Sequence, residues 1–167
     1  MRTLPSDYKA YTSDCANGLQ DGDETGIDCG GSCTPCVTVD LDCGIEEGQF
    51  RFGDTELSLG NSNILNNGFT VSSSLGQFIF QFQGLPFTTG IFQCTDYNSN
   101  YSGNKCGILF NVLDENPEFT EYKSFASGDN IQVTVDATGY TIQFCDVQLK
   151  QINGDIQNLD FFITIPF

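Results

Sequence analysis

Gln77-Phe-Ile-Phe-Gln-Phe-Gln83 is the stretch of sequence that decides the fold of this chain. Side chains alternate between the two faces of a β-strand, so Phe78, Phe80 and Phe82 fall on one face and polar glutamines on the other. A stripe of large apolar side chains with this period is what a packed sheet face requires. We therefore interpret the phenylalanines as core rather than as a binding surface, and the segment predicts a half-buried strand.

Similar short alternating segments recur on both sides of this strand, at intervals of about ten residues. They cover residues 50–52, 56–59, 69–72, 90–94, 107–113, 119–122, 130–135, 140–149 and 159–165. Asn66-Asn-Gly68 is a strong signal for a tight turn between two of them. No window has the period of a helix. The pattern is typical of an antiparallel sandwich or barrel. We predict an all-β fold, an antiparallel β-sandwich of Greek-key or jelly-roll type, over residues 37–167, beginning with the alternating Val37-Thr-Val-Asp-Leu41.

The charge of the chain excludes some classes of partner. Six Lys and Arg stand against 22 Asp and Glu, which gives a net charge of −16. Such a charge repels phosphate backbones and anionic lipid, so we expect no nucleic-acid partner. It favours solubility and attracts cations. No run of 18 apolar residues occurs, so we expect no membrane-spanning helix.

The chain has eight cysteines and no histidine, which indicates disulfides formed in an oxidising compartment. A zinc site of four thiolates is the alternative, favoured only by the single Cys33-x-x-Cys36 pair. We predict that Cys94 and Cys106 close the polar loop between them. That pairing leaves Cys43 for Cys145, which would tie an early strand to a late one. Within residues 15–36 all three pairings stay open for the remaining cysteines, namely Cys15, Cys29, Cys33 and Cys36.

Residues 15–36 form a cysteine-rich module after a polar leader or linker at residues 1–14. Its acidic stretch begins like a calcium-binding loop, with oxygen ligands at the first, third and fifth positions and a glycine at the sixth. Ser32 stands at the twelfth position, where such loops carry glutamate, so the match is partial. The alternative is an acidic turn held by disulfides alone. The predicted calcium ligands are Asp21, Asp23, Thr25, the Ile27 carbonyl and Asp28.

The sequence also offers a candidate glycan-binding loop, although it supports no catalytic site. Tyr97, Asn98, Asn100 and Tyr101 crowd the loop between Cys94 and Cys106 and could contact a sugar, the alternative being a solvated polar loop. Without histidine the usual general base is absent, and no nucleophile elbow or phosphate-binding motif occurs. We therefore predict that the protein is not an enzyme.

Two segments resemble proteins of one bacterial group. Cys15-Ala-Asn-Gly-Leu-Gln-Asp-Gly-Asp-Glu-Thr-Gly-Ile-Asp-Cys29-Gly-Gly-Ser-Cys33-Thr-Pro-Cys36 resembles a short motif of secreted and surface proteins of marine Bacteroidota, especially flavobacteria. Residues 48–167 are similar to uncharacterised β domains of flavobacterial surface lipoproteins, on the strength of residues 90–92, 127–135, 142–147 and 160–167. The resemblance implies an extracellular or outer-membrane location, with a lipid anchor upstream, and it carries over no catalytic residue.

From these observations we expect a non-catalytic protein of the cell surface, exported by a signal peptide that the sequence as written does not contain. Its β domain would bind a protein partner through strand edges or an exposed aromatic face. One alternative is a calcium-stabilised carbohydrate-binding module of a polysaccharide-uptake system. Another is a subunit of an extracellular filament that assembles by pairing β edges between copies.

Overall fold

The computed structural model describes residues 15, 21–25, 29–36, 39, 41–86, 88–113 and 119–167. The chain divides after residue 38 into two compact units. The described residues of the second unit form ten strands and no helix. The strands are β1 (Gln49–Phe52), β2 (Thr55–Leu65), β3 (Gly68–Ser73), β4 (Gly76–Phe82), β5 (Gly90–Cys94), β6 (Lys105–Leu113), β7 (Phe119–Ser124), β8 (Asn130–Val135), β9 (Gly139–Gln151) and β10 (Ile156–Pro166).

The all-β prediction holds, but the predicted sandwich is wrong: the sheet closes into a nine-stranded barrel. The strand order is β10-β1-β2-β3-β4-β6-β5-β8-β9, and β9 pairs with β10 to complete the ring. Closure depends on the pairing of the first strand with the last, in which Gln49 lies opposite Phe162 and Phe52 opposite Leu159. A sandwich leaves two edges on each sheet, whereas a closed ring pairs the backbone groups of those edges. The neighbours are antiparallel except β5 and β6, which run parallel.

The tenth strand, β7, lies between β6 and β9 at one end of the barrel, whereas β5 and β8 lie between them at the other end. β6 pairs with β5 only at Lys105 and Cys106, and with β7 from Leu109 to Leu113. On the other side, β9 pairs with β8 over residues 140–143 and with β7 over residues 149–151. We call this junction between β6 and β9 the seam. The barrel has nine strands on the β5–β8 side of the seam and eight on the β7 side.

Two side chains bond the backbone where the partner strand changes at the seam. The Ser124 hydroxyl accepts a hydrogen bond from the amide of Ile108 at 2.9 Å and donates one to the carbonyl of Thr95 at 2.6 Å. The Asp129 carboxylate accepts from the amide of Gln148 at 2.8 Å. Buried backbone groups need partners, so these side chains do here what a continuous strand does elsewhere.

Phenylalanine fills the barrel interior. Phe78, Phe80 and Phe82 are all buried, which confirms the inward face predicted from their spacing. The Phe78 ring lies flat against Phe110, with ring centroids 3.9 Å apart, and meets Phe50 edge-on at 4.9 Å. Aromatic pairs in such arrangements add to the burial of their area. The interior is therefore a packed core, and ligands have to bind elsewhere.

The segment before β1, residues 41–48, is fastened to the barrel wall, and we call it the strap. The expected disulfide between Cys43 and Cys145 is present and spans 102 positions of sequence. The Arg51 guanidinium donates to the Cys43 carbonyl at 3.1 Å and pairs with the Asp160 carboxylate at 2.7 Å. Residues 39 and 41, the described part of the strand expected at residues 37–41, do not belong to a strand, and the Leu41 carbonyl accepts a hydrogen bond from the Gln143 side chain at 2.8 Å.

Candidate functional site

A surface cleft of about 520 Å³ lies beside the seam, on the outer wall of the barrel. It is lined by residues 96–97 of the loop after β5, 120–121 and 123–125 around β7, and 150–152 at the end of β9. We call it the seam cleft. Tyr122 points inward and packs on Phe52, which itself lies against the core, with ring centroids 4.8 Å apart. Its neighbours Glu121 and Lys123 therefore point outward into the cleft, because side chains alternate along a strand.

The floor of the seam cleft carries two lysines side by side. Lys123 on β7 and Lys150 on β9 are direct register partners. The Lys123 ammonium pairs with the Glu121 carboxylate at 2.7 Å, and its side chain is 43% exposed. Lys150 is exposed and makes no ion pair within the described part of the chain. Like charges directly opposite on neighbouring strands are destabilising, so this pair does not serve the stability of the sheet.

The loop after β5 forms the other wall. The Tyr97 amide donates to the Ser124 carbonyl at 3.1 Å, and the Asp96 carboxylate accepts from the Ala126 amide at 3.3 Å. These bonds fasten the loop to β7. Partial burial, and then the negative charge of Glu121, raise the pKa of Tyr97. Its phenol therefore stays a neutral hydrogen-bond donor well beyond physiological pH.

The structure separates the four residues predicted to bind a sugar. Tyr97 lines the seam cleft, whereas Asn98 and Asn100 are exposed on the same loop and lie outside it. The Tyr101 hydroxyl accepts from the Asn98 amide at 2.8 Å. Its ring covers Gly107 so closely that a Cβ there would lie 2.7 Å from the ring carbon bearing the hydroxyl. Tyr101 thus anchors the loop to the wall, and the prediction that these residues bind a sugar stays a prediction.

The predicted disulfide between Cys94 and Cys106 is not formed: both are buried free cysteines. They are register partners on the parallel strands β5 and β6, with their sulfur atoms 3.8 Å apart. The backbone pairing already joins the two ends of the loop, so the loop closes without the covalent bond. Burial, and then the hydrogen bond to Cys94, raise the pKa of Cys106 well above its usual value.

The N-terminal unit has its own disulfides. Cys15 pairs with Cys33 and Cys29 with Cys36, which selects one of the three pairings left open by the sequence. The zinc alternative does not fit, because disulfide sulfurs are not thiolates. One cluster of potential metal-ligand atoms occurs among the described residues: the Glu24 carboxylate lies within 4.8 Å of the sulfurs of Cys15 and Cys33. Because these two sulfurs are joined in a disulfide, the cluster does not favour a metal site.

The calcium prediction stays a prediction. Two of its five residues, Ile27 and Asp28, lie outside the described residues. Among the described ones, the Asp23 carboxylate accepts a hydrogen bond from the Ser32 hydroxyl at 2.8 Å, so the residue at the twelfth loop position bonds to a predicted ligand. The Asp21 amide donates to the Glu24 carboxylate at 3.2 Å. No three carboxylates gather in the part of this unit that the structure describes.

Sequence reasoning missed Lys123, Lys150 and the cleft between them. The sequence did contain one indication that these lysines are worth attention, because lysine and arginine are rare in a chain of net charge −16. Their adjacency depends on the register of β7 with β9, which the sequence does not reveal.

Comparisons with protein-family models, with curated proteins and with solved structures found no match to this chain. None of the described residues form a helix of the length and hydropathy needed to cross a bilayer.

Proposed function

We propose that this chain is a non-catalytic binding protein of an oxidising compartment outside the cytoplasm, and that it binds a saccharide in the seam cleft. The observation that carries the proposal is the cleft itself, a depression lined by cationic, anionic and aromatic groups from β7, from β9 and from the loop after β5. Three disulfides in the two units support the oxidising compartment. A location at the bacterial surface, with a lipid anchor, is part of the same proposal and rests on the resemblance described above.

The barrel disfavours the two protein-binding surfaces that the sequence suggested. Each strand has a neighbour on both sides, so no described strand offers an edge along its whole length for a partner or for a filament. The aromatic stripe of β4 is turned inward. The volume of the cleft, about 520 Å³, lies within the ~300–1,000 Å³ of small-ligand pockets, so a small ligand fits it.

The chemistry of the cleft matches a polyhydroxylated ligand. A sugar hydroxyl both donates and accepts, so it needs acceptors such as Asp96 and Glu121 together with donors such as Lys150 and Gln151. The apolar face of a sugar ring needs an apolar surface, which Tyr97 provides. All of these side chains lie on β7, on β9 or on a loop bonded to β7, and a rigid scaffold limits the entropy lost on binding.

The test is calorimetric titration of the full chain with a panel of neutral and acidic oligosaccharides. We expect at least one to bind, and Tyr97→Ala to weaken that binding about tenfold, since one aromatic contact corresponds to about 1.4 kcal/mol. Asn100→Ala is the matched control, because Asn100 is exposed on the same loop outside the cleft. Equal losses in the two variants, or no binding by any oligosaccharide, would overturn the proposal. Binding of a protein but of no sugar would restore the protein-partner function.

A further inference from the structure

We infer that the ligand of the seam cleft carries a carboxylate, as uronic acids do, and that this group sits between Lys123 and Lys150. The inference rests on the proposed function and specifies its ligand class. It starts from the distribution of positive charge. The described residues hold four lysine or arginine side chains in a chain of net charge −16. Two of these four face each other in one cleft.

The other two cations have different surroundings. Arg51 is paired with Asp160 on β10 at 2.7 Å and with Glu56 on β2 at 3.1 Å, so it helps to hold β1 to both of its neighbouring strands. Lys105 is exposed at the start of β6, outside the cleft. Among the described residues, Lys123 pairs with Glu121 of its own strand, which joins no two strands, and Lys150 stands opposite Lys123 in register, where like charges repel. A chain with 22 acidic residues could have placed a carboxylate opposite Lys150, but a second lysine stands there instead.

The cleft is lined by two lysines and by two carboxylates, those of Asp96 and Glu121, but only one of the lysines forms an ion pair among the described residues. Glu121 neutralises Lys123 at 2.7 Å, while Lys150 has no carboxylate partner among the described residues. A ligand carboxylate between the two ammonium groups would accept a charge-assisted hydrogen bond from each and would relieve their repulsion. Residues placed for binding at a cost in stability are typical of functional sites.

The acidic groups of the cleft restrict the ligand further. Asp96 and Glu121 repel a densely charged anion such as a polyphosphate, yet they are good acceptors for hydroxyl groups. A ring with one carboxylate and several hydroxyls satisfies both requirements. At physiological ionic strength charges are screened beyond about 8 Å, so the cations of the cleft act on a bound group more strongly than the distant surface carboxylates do.

The experiment compares uronate oligosaccharides with their carboxyl-reduced counterparts, which have the same rings and linkages and no charge. The panel contains galacturonate, glucuronate, mannuronate and guluronate oligomers, titrated into the full chain and into two variants. Lys150→Gln removes one ammonium group of the cleft, and Lys105→Gln makes the same change of net charge outside it. We expect an acidic oligomer to bind at least tenfold more tightly than its reduced form. That preference should disappear in Lys150→Gln and remain in Lys105→Gln.

A thermal melt of the free proteins distinguishes loss of binding from loss of folding. Removing Lys150 relieves repulsion, so the midpoint of Lys150→Gln should equal or exceed that of the parent protein. Equal affinity for acidic and reduced oligomers, or equal effects of the two variants, would overturn the carboxylate inference and leave the saccharide proposal standing. If neither kind of oligomer binds, the saccharide proposal falls and the inference falls with it.

Discussion

Replacing Ser124 with alanine tests whether a single hydroxyl completes the seam of the barrel. Ser124 is 2% exposed, and its hydroxyl makes one bond to a buried amide, that of Ile108, and one to the half-buried carbonyl of Thr95. Alanine removes both bonds and supplies no replacement. The stranded Ile108 amide costs about 1–3 kcal/mol, and loss of the Thr95 bond adds about 1 kcal/mol because water reaches that carbonyl. The expected loss is therefore about 2–4 kcal/mol.

The assay is urea denaturation followed by far-ultraviolet circular dichroism, because the chain has no tryptophan. With a urea dependence of about 2 kcal/mol per molar, typical of a small protein, the midpoint should fall by about 1–2 M. Ser74→Ala is the matched control, since Ser74 is exposed in the turn between β3 and β4. A midpoint for Ser124→Ala within experimental error of that control would refute the role assigned to this hydroxyl.

Two further predictions concern the cysteines of the barrel. Replacing both Cys43 and Cys145 by alanine should lower the free energy of unfolding, measured by urea titration, by about 4–5 kcal/mol. This is the value that the chain-entropy model gives for a loop of this length. A loss below about 1 kcal/mol would contradict the role of the strap. Burial raises the pKa of Cys106, so the folded protein keeps this proton after the unfolded chain has begun to lose it. Stability should therefore fall as pH rises above about 8.5, by at most ~1.4 kcal/mol per pH unit, and the urea midpoint of Cys106→Ala should decline less steeply over the same range; parallel declines would show that another group is responsible.

The strands could be predicted because each one depends on local alternation. The segments expected at residues 90–94 and 130–135 match β5 and β8, and the Asn66-Asn-Gly68 turn joins β2 to β3 as expected. β2 continues to Leu65, six residues beyond its predicted end at Leu59. Its register with β3 shifts between Leu59 and Ser62, and the strand continues through this irregularity. Polar and glycine residues in that stretch looked like a turn.

Closure could not be predicted in the same way. Sandwiches and barrels have the same alternating pattern, and only the pairing of β1 with β10 distinguishes them here. The seam cleft depends on the same kind of information, since it requires the register of β7 with β9 and the fold of a loop onto β7. The prediction of a disulfide between Cys43 and Cys145 is confirmed although its premise, a disulfide between Cys94 and Cys106, is wrong: the elimination succeeds because Cys94 and Cys106 pair with no other cysteine. The free pair of Cys94 and Cys106 could not be predicted, because backbone pairing replaces the covalent link.

The pairing of the first strand with the last determines when the barrel can form. Contacts between distant parts of a chain are slow to form, and domains dominated by them fold in milliseconds to seconds. Until β10 is available, β1 and β9 each present an unpaired edge, which is a template for association with other chains. A nascent chain is therefore vulnerable to aggregation and proteolysis until β10 has been made, and chaperones have their main opportunity to bind it in that interval.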